Sequence, residues 1–568
     1  MPATAEPRPE RTAHLRTFVL AFLLLAVVFL AHLPALGGWW TSDDPQVLLQ
    51  AVRTSPMEVL FDPAAWRVLS TSSFTPLVTL SFELDLALFG LEPLFFYEHQ
   101  ILSIALVALL VFLLLENACG RIVALLVAAA AAVSPAMAVA AGSLMVRHYV
   151  EGLIFALAAL LVLRLTPSDR KSIPADLAVA VLYLFAMLAK EIYAPLPLLF
   201  LAELRTQRVP WRRVVVRMIP SALAAAIYLA WRSVMLGSGG GYGTVIDLRD
   251  ILFLAPRLVT MVLSSLTPLV LWILVGLVLV GGIAAAIRAP RVAGWWALAA
   301  GVALLLPLIP VAGEAQARYA ILPMTAAIVL GGAGLATFPR RVAIGLATIL
   351  LVASSAGGRM AHRDLGQSNR AMIAEGRYIW RAPASAAPLF AGSPAWYLEG
   401  LRDLRGVNGG GDAPRYFLSS YALAAGAVEP EEVLTSEGGS PELRRLEPER
   451  ILAIAMERKR RDDSIPLRLK VVQRKSVVSW DLGPVPGHFM WLTLPEYDEY
   501  AIEPTGSRRI PASVGTDRFQ IRREQPDGRW TLSPPLDLPP EDGVVEWTSD
   551  ADKSKGEDVA NVLSAPPV

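Results

Sequence analysis

Cysteine is nearly missing: Cys119 stands alone in 568 residues. A lone thiol excludes a disulfide framework and any cysteine-rich zinc or iron–sulfur site. The six histidines are scattered, and none falls in the His-Glu-x-x-His spacing of a zinc protease. Lysine is scarce as well, with seven in the chain and only Lys171 and Lys190 before residue 358. Charged residues make up 18%, against about 25% in soluble domains. They balance to a formal +1, which leaves no net-basic footprint for nucleic acid. The glycine run from Gly237 to Gly243 fits neither a dinucleotide fingerprint nor a P-loop, and reads as a flexible loop.

Apolar residues fill the space instead, at 54% of the chain with a mean hydropathy of +0.48. The shortage of charge is local. Residues 17–357 carry long apolar runs, while 358–568 has ordinary globular composition. The expected fold is an α-helical polytopic membrane protein with a C-terminal soluble domain. A spanning helix needs roughly 20 mostly apolar residues. About eleven segments approach this: 17–36, 97–115, 121–143, 148–165, 174–190, 191–204, 213–235, 268–287, 293–311, 319–337 and 341–357. The 191–204 segment is short, and 121–143 is broken by Ser134-Pro135. Arg8, Arg11 and Arg16 precede the first span, which lacks a small-residue cleavage site and reads as a retained anchor.

Lys and Arg in short loops orient such a chain. With residues 1–16 inside, the inner loops collect Arg121; Arg164, Arg170 and Lys171; Arg205, Arg208, Arg212 and Arg213; Arg288 and Arg291; and Arg340 and Arg341. The opposite loops hold only isolated basic residues, and eleven spans would place the C-terminal domain, 358–549, on the extracytoplasmic side. Segment 250–266, with Asp250, Pro256 and Arg257, reads as an interfacial helix. Were it to cross, the C-terminal domain would move inside. A bacterial cytoplasmic membrane is the expected location.

The first outer loop, 37–96, is too long for a simple connector. Its pieces Val47–Leu60 and Thr75–Phe89 read as amphipathic interfacial helices, and its charge is mostly acidic. Charges beside spans are costly and so are functional candidates. Three clusters are expected on the outer face: Arg147-His148 with Tyr149 and Glu151, Lys190-Glu191, and Arg318-Tyr319. Each has a plainer reading as a helix-end anchor. The sharpest feature is Trp39-Trp40-Thr41-Ser42-Asp43-Asp44-Pro45. There a carboxylate can take a proton from an incoming hydroxyl, or else serve as a helix N-cap.

Together these pieces resemble the GT-C superfamily of membrane glycosyltransferases, particularly protein O-mannosyltransferase-like proteins and the membrane half of the tetratricopeptide-associated mannosyltransferases. Ser42-Asp43-Asp44 is similar to their acidic motif. Phe74-Thr75-Pro76, running into Phe89-Gly90-Leu91-Glu92-Pro93, is similar to their second signature, and Lys190-Glu191 and Arg318-Tyr319 to later ones. The likeness covers about 17–357. Thr75, Tyr97 and Gln100 depart from the pattern, which often has Arg, His and Asn there.

The resemblance implies transfer of a hexosyl or pentosyl group from a polyprenyl-phosphate sugar to a hydroxyl of an extracytoplasmic glycan, lipid or protein, with inversion. It implies Asp43 as base and Asp44 as a supporting or cation-holding carboxylate, so that a divalent cation is one cofactor to test. Lys190 and Arg318 would face the departing phosphate. Glu191, Tyr319, Arg147 and His148 would complete substrate binding.

The likeness stops before the C-terminal domain. There the alternating runs Leu467–Val472, Val477–Leu482 and Phe489–Leu494 predict a β-sandwich after a stretch of α/β elements, and 550–568 reads as a disordered tail. Two rival functions remain at this level: a flippase of lipid-linked sugars, and an inactive GT-C-like binding protein.

Overall fold

The computed structural model describes residues 10–70, 72–166, 173–237, 253–254, 256–257, 266–309, 317–383, 388–389, 395–409, 432–435, 444–445, 460–474, 477–494, 498–509, 518–540 and 542–549. The expected glycine loop, most of 250–266 and the C-terminal tail lie outside them. The chain divides into two compact units, Met1–Asn369 and Arg370–Val568.

The first unit is helical. Helix α1 (Glu10–His32) leads through a 3-10 turn into the long loop, which holds α2 (Asp44–Arg53), α3 (Pro56–Phe61), α4 (Pro63–Leu69) and α5 (Pro76–Phe89). Then follow α6 (Pro93–Cys119), α7 (Arg121–Ala132), α8 (Pro135–Ala141), α9 (Arg147–Leu165), α10 (Ile173–Ala189), α11 (Pro197–Thr206) and α12 (Trp211–Leu236). Last come α13 (Pro268–Arg288), α14 (Pro290–Leu305), α15 (Ile321–Leu335) and α16 (Arg340–Ser368).

Among the described residues, eight helices are long and apolar enough to cross a membrane, or nine if the α7–α8 pair, bent by 54°, counts as one span. This is a multi-pass membrane protein. The count is lower than eleven for a local reason. Pro195 and Pro197 break the 191–204 segment into a 3-10 turn and the ten-residue α11, because a proline ring removes a donor and clashes with the preceding turn. Helix α10, with 17 residues, is a shorter apolar helix.

The break between α7 and α8 is satisfied by neighbouring groups, as a low-dielectric setting demands. Ser134 Oγ accepts from the Met137 amide at 3.4 Å. The Ala132 carbonyl pairs with His32 Nε2 at 2.9 Å, and His32 Nδ1 lies 2.8 Å from His362 Nε2. A ring nitrogen facing a carbonyl carries the proton, so His32 Nδ1 accepts from His362.

Helices α13 and α15 meet through glycines. A Cβ built on Gly281 would lie 1.8 Å from the Gly331 carbonyl oxygen, and one on Gly334 2.0 Å from that of Gly281. Small residues are what allow helices to approach this closely inside a membrane. Gly281→Leu should therefore separate the pair, and thermal unfolding of the purified protein in detergent should fall by several degrees. The same change at Gly276, where a Cβ meets nothing within 4 Å, should leave it unmoved.

The long loop is fastened to the end of α12 by side chains that donate to main-chain carbonyls. Arg67 Nε and Nη2 reach the carbonyls of Met235 and Val234 at 2.9 and 3.0 Å, covering the exposed end of the helix. Trp231 Nε1 donates to Leu60, Arg232 Nη2 to Ser72 and the Tyr228 hydroxyl to Phe74. The expected helix Val47–Leu60 is two helices, since a Ser55–Glu58 capping box and Pro56 start α3 afresh. Met57, Phe61, Val68, Leu84 and Leu88 leave the loop with an exposed apolar side.

In the second unit α17 (Arg370–Arg381) leads to a small sheet of β1 (Pro388–Leu389), β2 (Glu432–Thr435) and β3 (Arg444–Arg445), with α18 (Ala395–Val407) between β1 and β2. The expected sandwich follows. One sheet has the order β12-β4-β5-β8, built from β4 (Arg468–Arg474), β5 (Val477–Asp481), β8 (Thr505–Arg509) and β12 (Val544–Thr548). The other is β10-β9-β6-β7, with β11 (Leu536–Asp537) also on β9; its strands are β6 (His488–Leu494), β7 (Asp498–Ile502), β9 (Arg518–Glu524) and β10 (Trp530–Leu532). Leu469, Val471 and Val478 of the first sheet pack on Phe489, Trp491, Phe519 and Ile521 of the second.

Candidate active site

The acidic motif sits where the chain turns from α1 into α2. Ser42 takes a positive φ of 50°, rare for a residue with a side chain, and this separates the roles of the residues beside it. Asp44 is buried, and both its oxygens accept from main-chain amides: Oδ2 from Thr41 at 2.8 Å and Oδ1 from Met145 at 2.9 Å. It pins the motif to the approach to α9. Burial pushes its carboxyl up to about 7 against the pull of those two donors.

Asp43 occupies the N-cap position of α2 but its side chain caps nothing. It turns instead toward Arg318, with Oδ2 3.7 Å from Nη1, and stays 42% exposed. Surrounding protein raises its pKa from the ordinary carboxylate value, and Arg318 partly offsets the rise.

Arg318 lies in the 3-10 turn before α15, its guanidinium 5.7 Å from the Tyr319 ring. Lys190 is held extended ahead of the turn Glu191–Tyr193. Its ammonium is nearly buried and lies 3.8 Å from Glu191 Oε1, beyond hydrogen-bond length. Glu191 Oε2 has no partner among the described residues. His148 is buried against Tyr149, 4.6 Å between ring centres, within electrostatic reach of both Lys190 and Arg318. The chain thus brings Asp43, His148, Lys190, Glu191, Arg318 and Tyr319 into one neighbourhood.

Arg147 is placed differently. Its side chain is fully buried, bonded to Asp85 at 2.5 Å, the Phe96 carbonyl at 2.7 Å and Ser81 Oγ at 3.2 Å, and packed over the Phe82 and Phe96 rings. Asp85 also meets His99 Nδ1 at 2.7 Å, and Ser81 Oγ donates to Glu151. This network joins α5 to α6 and α9, and presents no guanidinium to a ligand.

Two positions that depart from the family pattern have structural work. The Tyr97 hydroxyl donates to the Trp39 carbonyl at 2.8 Å over Gly38, where an added Cβ would lie 2.4 Å from the ring. Gln100 Nε2 donates to the Ala140 carbonyl at 2.9 Å. Thr75 is buried ahead of α5 and makes no side-chain cap.

Sequence reasoning passed over three features. Glu83 on α5 has a buried, unpartnered Oε1, and its carboxyl is pushed up to about 7 by burial. The Asp85–Arg147 pair is the second. The third is an apolar cavity of about 130 Å³ lined by Leu153, Leu157, Ile192, Tyr193, Trp296 and Leu322. Ile192 and Tyr193 directly follow Lys190-Glu191, and Leu322 lies one turn past Arg318.

A divalent cation fits this donor set poorly. Asp44 already accepts two amides, and among the described residues no group of three or more His, Cys, Asp or Glu could hold a metal.

No family model and no curated protein matches the chain. Solved structures resemble it in outline. ArnT from Cupriavidus metallidurans in the apo state shares 14% identity at a TM-score of 0.46, over 78% of this chain and 95% of that one. The same protein bound to undecaprenyl phosphate shares 14% at 0.44, over 77% and 94%. The oligosaccharyltransferase of Archaeoglobus fulgidus, in complex with Zn and sulfate, shares 12% at 0.38, over 69% and 62%. At these identities, and with TM-scores below 0.5, the likeness assigns no role to any residue.

Proposed function

We propose that this protein is a GT-C-like membrane glycosyltransferase that moves a sugar from a polyprenyl-phosphate donor to an acceptor hydroxyl. The observation that carries the reading is the composition of one neighbourhood. A half-exposed carboxylate lies against Arg318, the Lys190 ammonium stands 3.8 Å from Glu191 Oε1, beyond hydrogen-bond length, and residues that follow both cations line an apolar cavity. A phosphate on an apolar chain is the ligand class that needs two cations at the mouth of such a space.

The donor phosphate sits between Lys190 and Arg318 with its chain in the cavity. The acceptor oxygen attacks the anomeric carbon from the face opposite the phosphate, so the configuration inverts. Its proton passes to Asp43 as the new C–O bond forms. The bond to the phosphate oxygen breaks, and that oxygen keeps the electron pair. Lys190 and Arg318 stabilise the charge that develops there. Phosphate is a good leaving group, so cations matter more than a general acid. The site faces the extracytoplasmic side under the positive-inside orientation.

The test is to incubate purified protein with polyprenyl-phosphate sugars and candidate acceptors, then look for transfer. Movement of the lipid across a bilayer without transfer would replace this reading with a flippase, and binding alone with an inactive homologue.

A base works only when ionised. Because protein surroundings raise the Asp43 pKa, activity should fall away on acidification at a pH above the ordinary carboxylate range. Arg318 holds that rise back, so Arg318→Gln should move the acid limb of kcat/KM to higher pH as well as slow the reaction. A slower variant with an unmoved limb would separate Arg318 from Asp43.

A further inference from the structure

At the far end of α10 from Lys190, a second buried cation stands with most of its donors unspent. The Arg217 side chain on α12 is only 7% exposed, and its Nε donates to Asp176 Oδ1 at 2.9 Å. Nη1 and Nη2, which carry the rest of the guanidinium's N–H groups, are buried without a hydrogen-bond partner among the described residues. Water is shut out and no protein acceptor replaces it, which is costly for a charged group.

The two helices define the position. Asp176 is in the first turn of α10 and Lys190 directly follows its last, so roughly 20 Å of helix separates this pair from the candidate active site. Arg217 closes the second turn of α12. The Cα–Cβ bonds of a helix tilt toward its N-terminus, so the side chain sets out toward the surface where α12 begins. Under the positive-inside orientation that is the inner surface. Trp211, 51% exposed, stands at that end as an interfacial aromatic does. Arg213, one turn nearer the surface on the same face, is exposed. Ile173 and Leu177 near Asp176, and Val216 beside Arg217, are exposed apolar side chains in a membrane-spanning unit.

These surroundings select the ligand. Two Nη groups in one plane match two oxygens of a phosphate. Apolar side chains on both helices suit acyl chains, and Arg213 offsets the second negative charge beside Asp176. A swing of the Arg217 side chain toward the surface, as long basic side chains make at membrane interfaces, brings both Nη groups to headgroup level.

We propose that Arg217 binds the phosphate of an anionic phospholipid of the inner leaflet where α10 and α12 meet. The site is independent of the donor reading above.

The test titrates the full chain, purified in detergent, with phosphatidylglycerol, phosphatidylcholine and inorganic phosphate. Bound lipid is counted by native mass spectrometry, and thermal unfolding is followed in parallel. Phosphatidylglycerol should be retained roughly fivefold more than phosphatidylcholine, whose choline balances its own phosphate, and should raise the unfolding temperature. Arg217→Gln should abolish both effects. Arg288→Gln, at an exposed arginine ending α13, should leave both unchanged. Asp176→Asn removes a competing negative charge and should tighten the lipid, which a purely structural ion pair would not do.

Should Arg217→Gln fail to fold, the double variant Asp176→Asn with Arg217→Gln keeps a neutral pair of similar shape and should likewise show no lipid preference. Four results overturn the proposal. Wild type shows no preference for phosphatidylglycerol; the preference survives the loss of Arg217; Arg288→Gln removes it equally; or inorganic phosphate alone reproduces the stabilisation, which would make the ligand a soluble anion.

Discussion

Asp43→Asn should lower the rate of sugar transfer roughly 100- to 10,000-fold, the usual contribution of a positioned general base, while the protein inserts and unfolds as before. The structural half follows from what Asp43 does not do: it caps no helix, it is 42% exposed, and Arg318 lies 3.7 Å away. An exposed pair at that separation contributes about 0–1 kcal/mol. The amide keeps the shape and loses the basic oxygen. Single-turnover transfer and thermal unfolding, measured together, check both halves. Asp44→Ala should behave in the opposite sense, losing stability through the freed amides of Thr41 and Met145. Full transfer by Asp43→Asn would sink the assignment of the base.

Arg147→Met should be the most destabilising change in the membrane unit, by about 3–5 kcal/mol, because it leaves a buried carboxylate without its counter-charge. Asp85 is 1% exposed, and its remaining partner is the neutral or protonated ring of His99. The Phe96 carbonyl would lose its donor in the same step. Pairing the change with Asp85→Leu should restore much of the loss, since a buried ion pair replaced by apolar side chains of similar volume is often nearly neutral. Unfolding of the two single variants and the double in detergent gives the coupling. Strict additivity would show that the pair does not hold α5 to α9.

The membrane class, the location of the long loop and the sandwich strands were legible in the sequence because each rests on local periodicity. Leu467–Val472 alternates as a half-buried strand does, and β4 takes up all of it but Leu467. The span count misread 191–204, where apolar composition continued but two prolines decided the backbone. The site was legible in its residue types and not in its division of labour. Asp43 and Asp44 are neighbours with the same side chain, and only the positive φ at Ser42 and the distant Met145 amide tell them apart. Arg147 looked like a ligand cation because its counter-charge is 62 positions away. Tyr97 and Gln100 donate to carbonyls, which carry no signature in a sequence.

The fastening of the long loop to α12 has the same character. Arg67, Tyr228, Trp231 and Arg232 all end on main-chain oxygens. The receiving positions are therefore free to change identity without breaking the joint, since every residue offers the same carbonyl. Sequence drift at Val234, Met235, Leu60 or Ser72 leaves the bond intact, whereas loss of one donor removes it. A chain anchored this way can hold its acidic motif steady through long divergence while keeping few recognisable words around it.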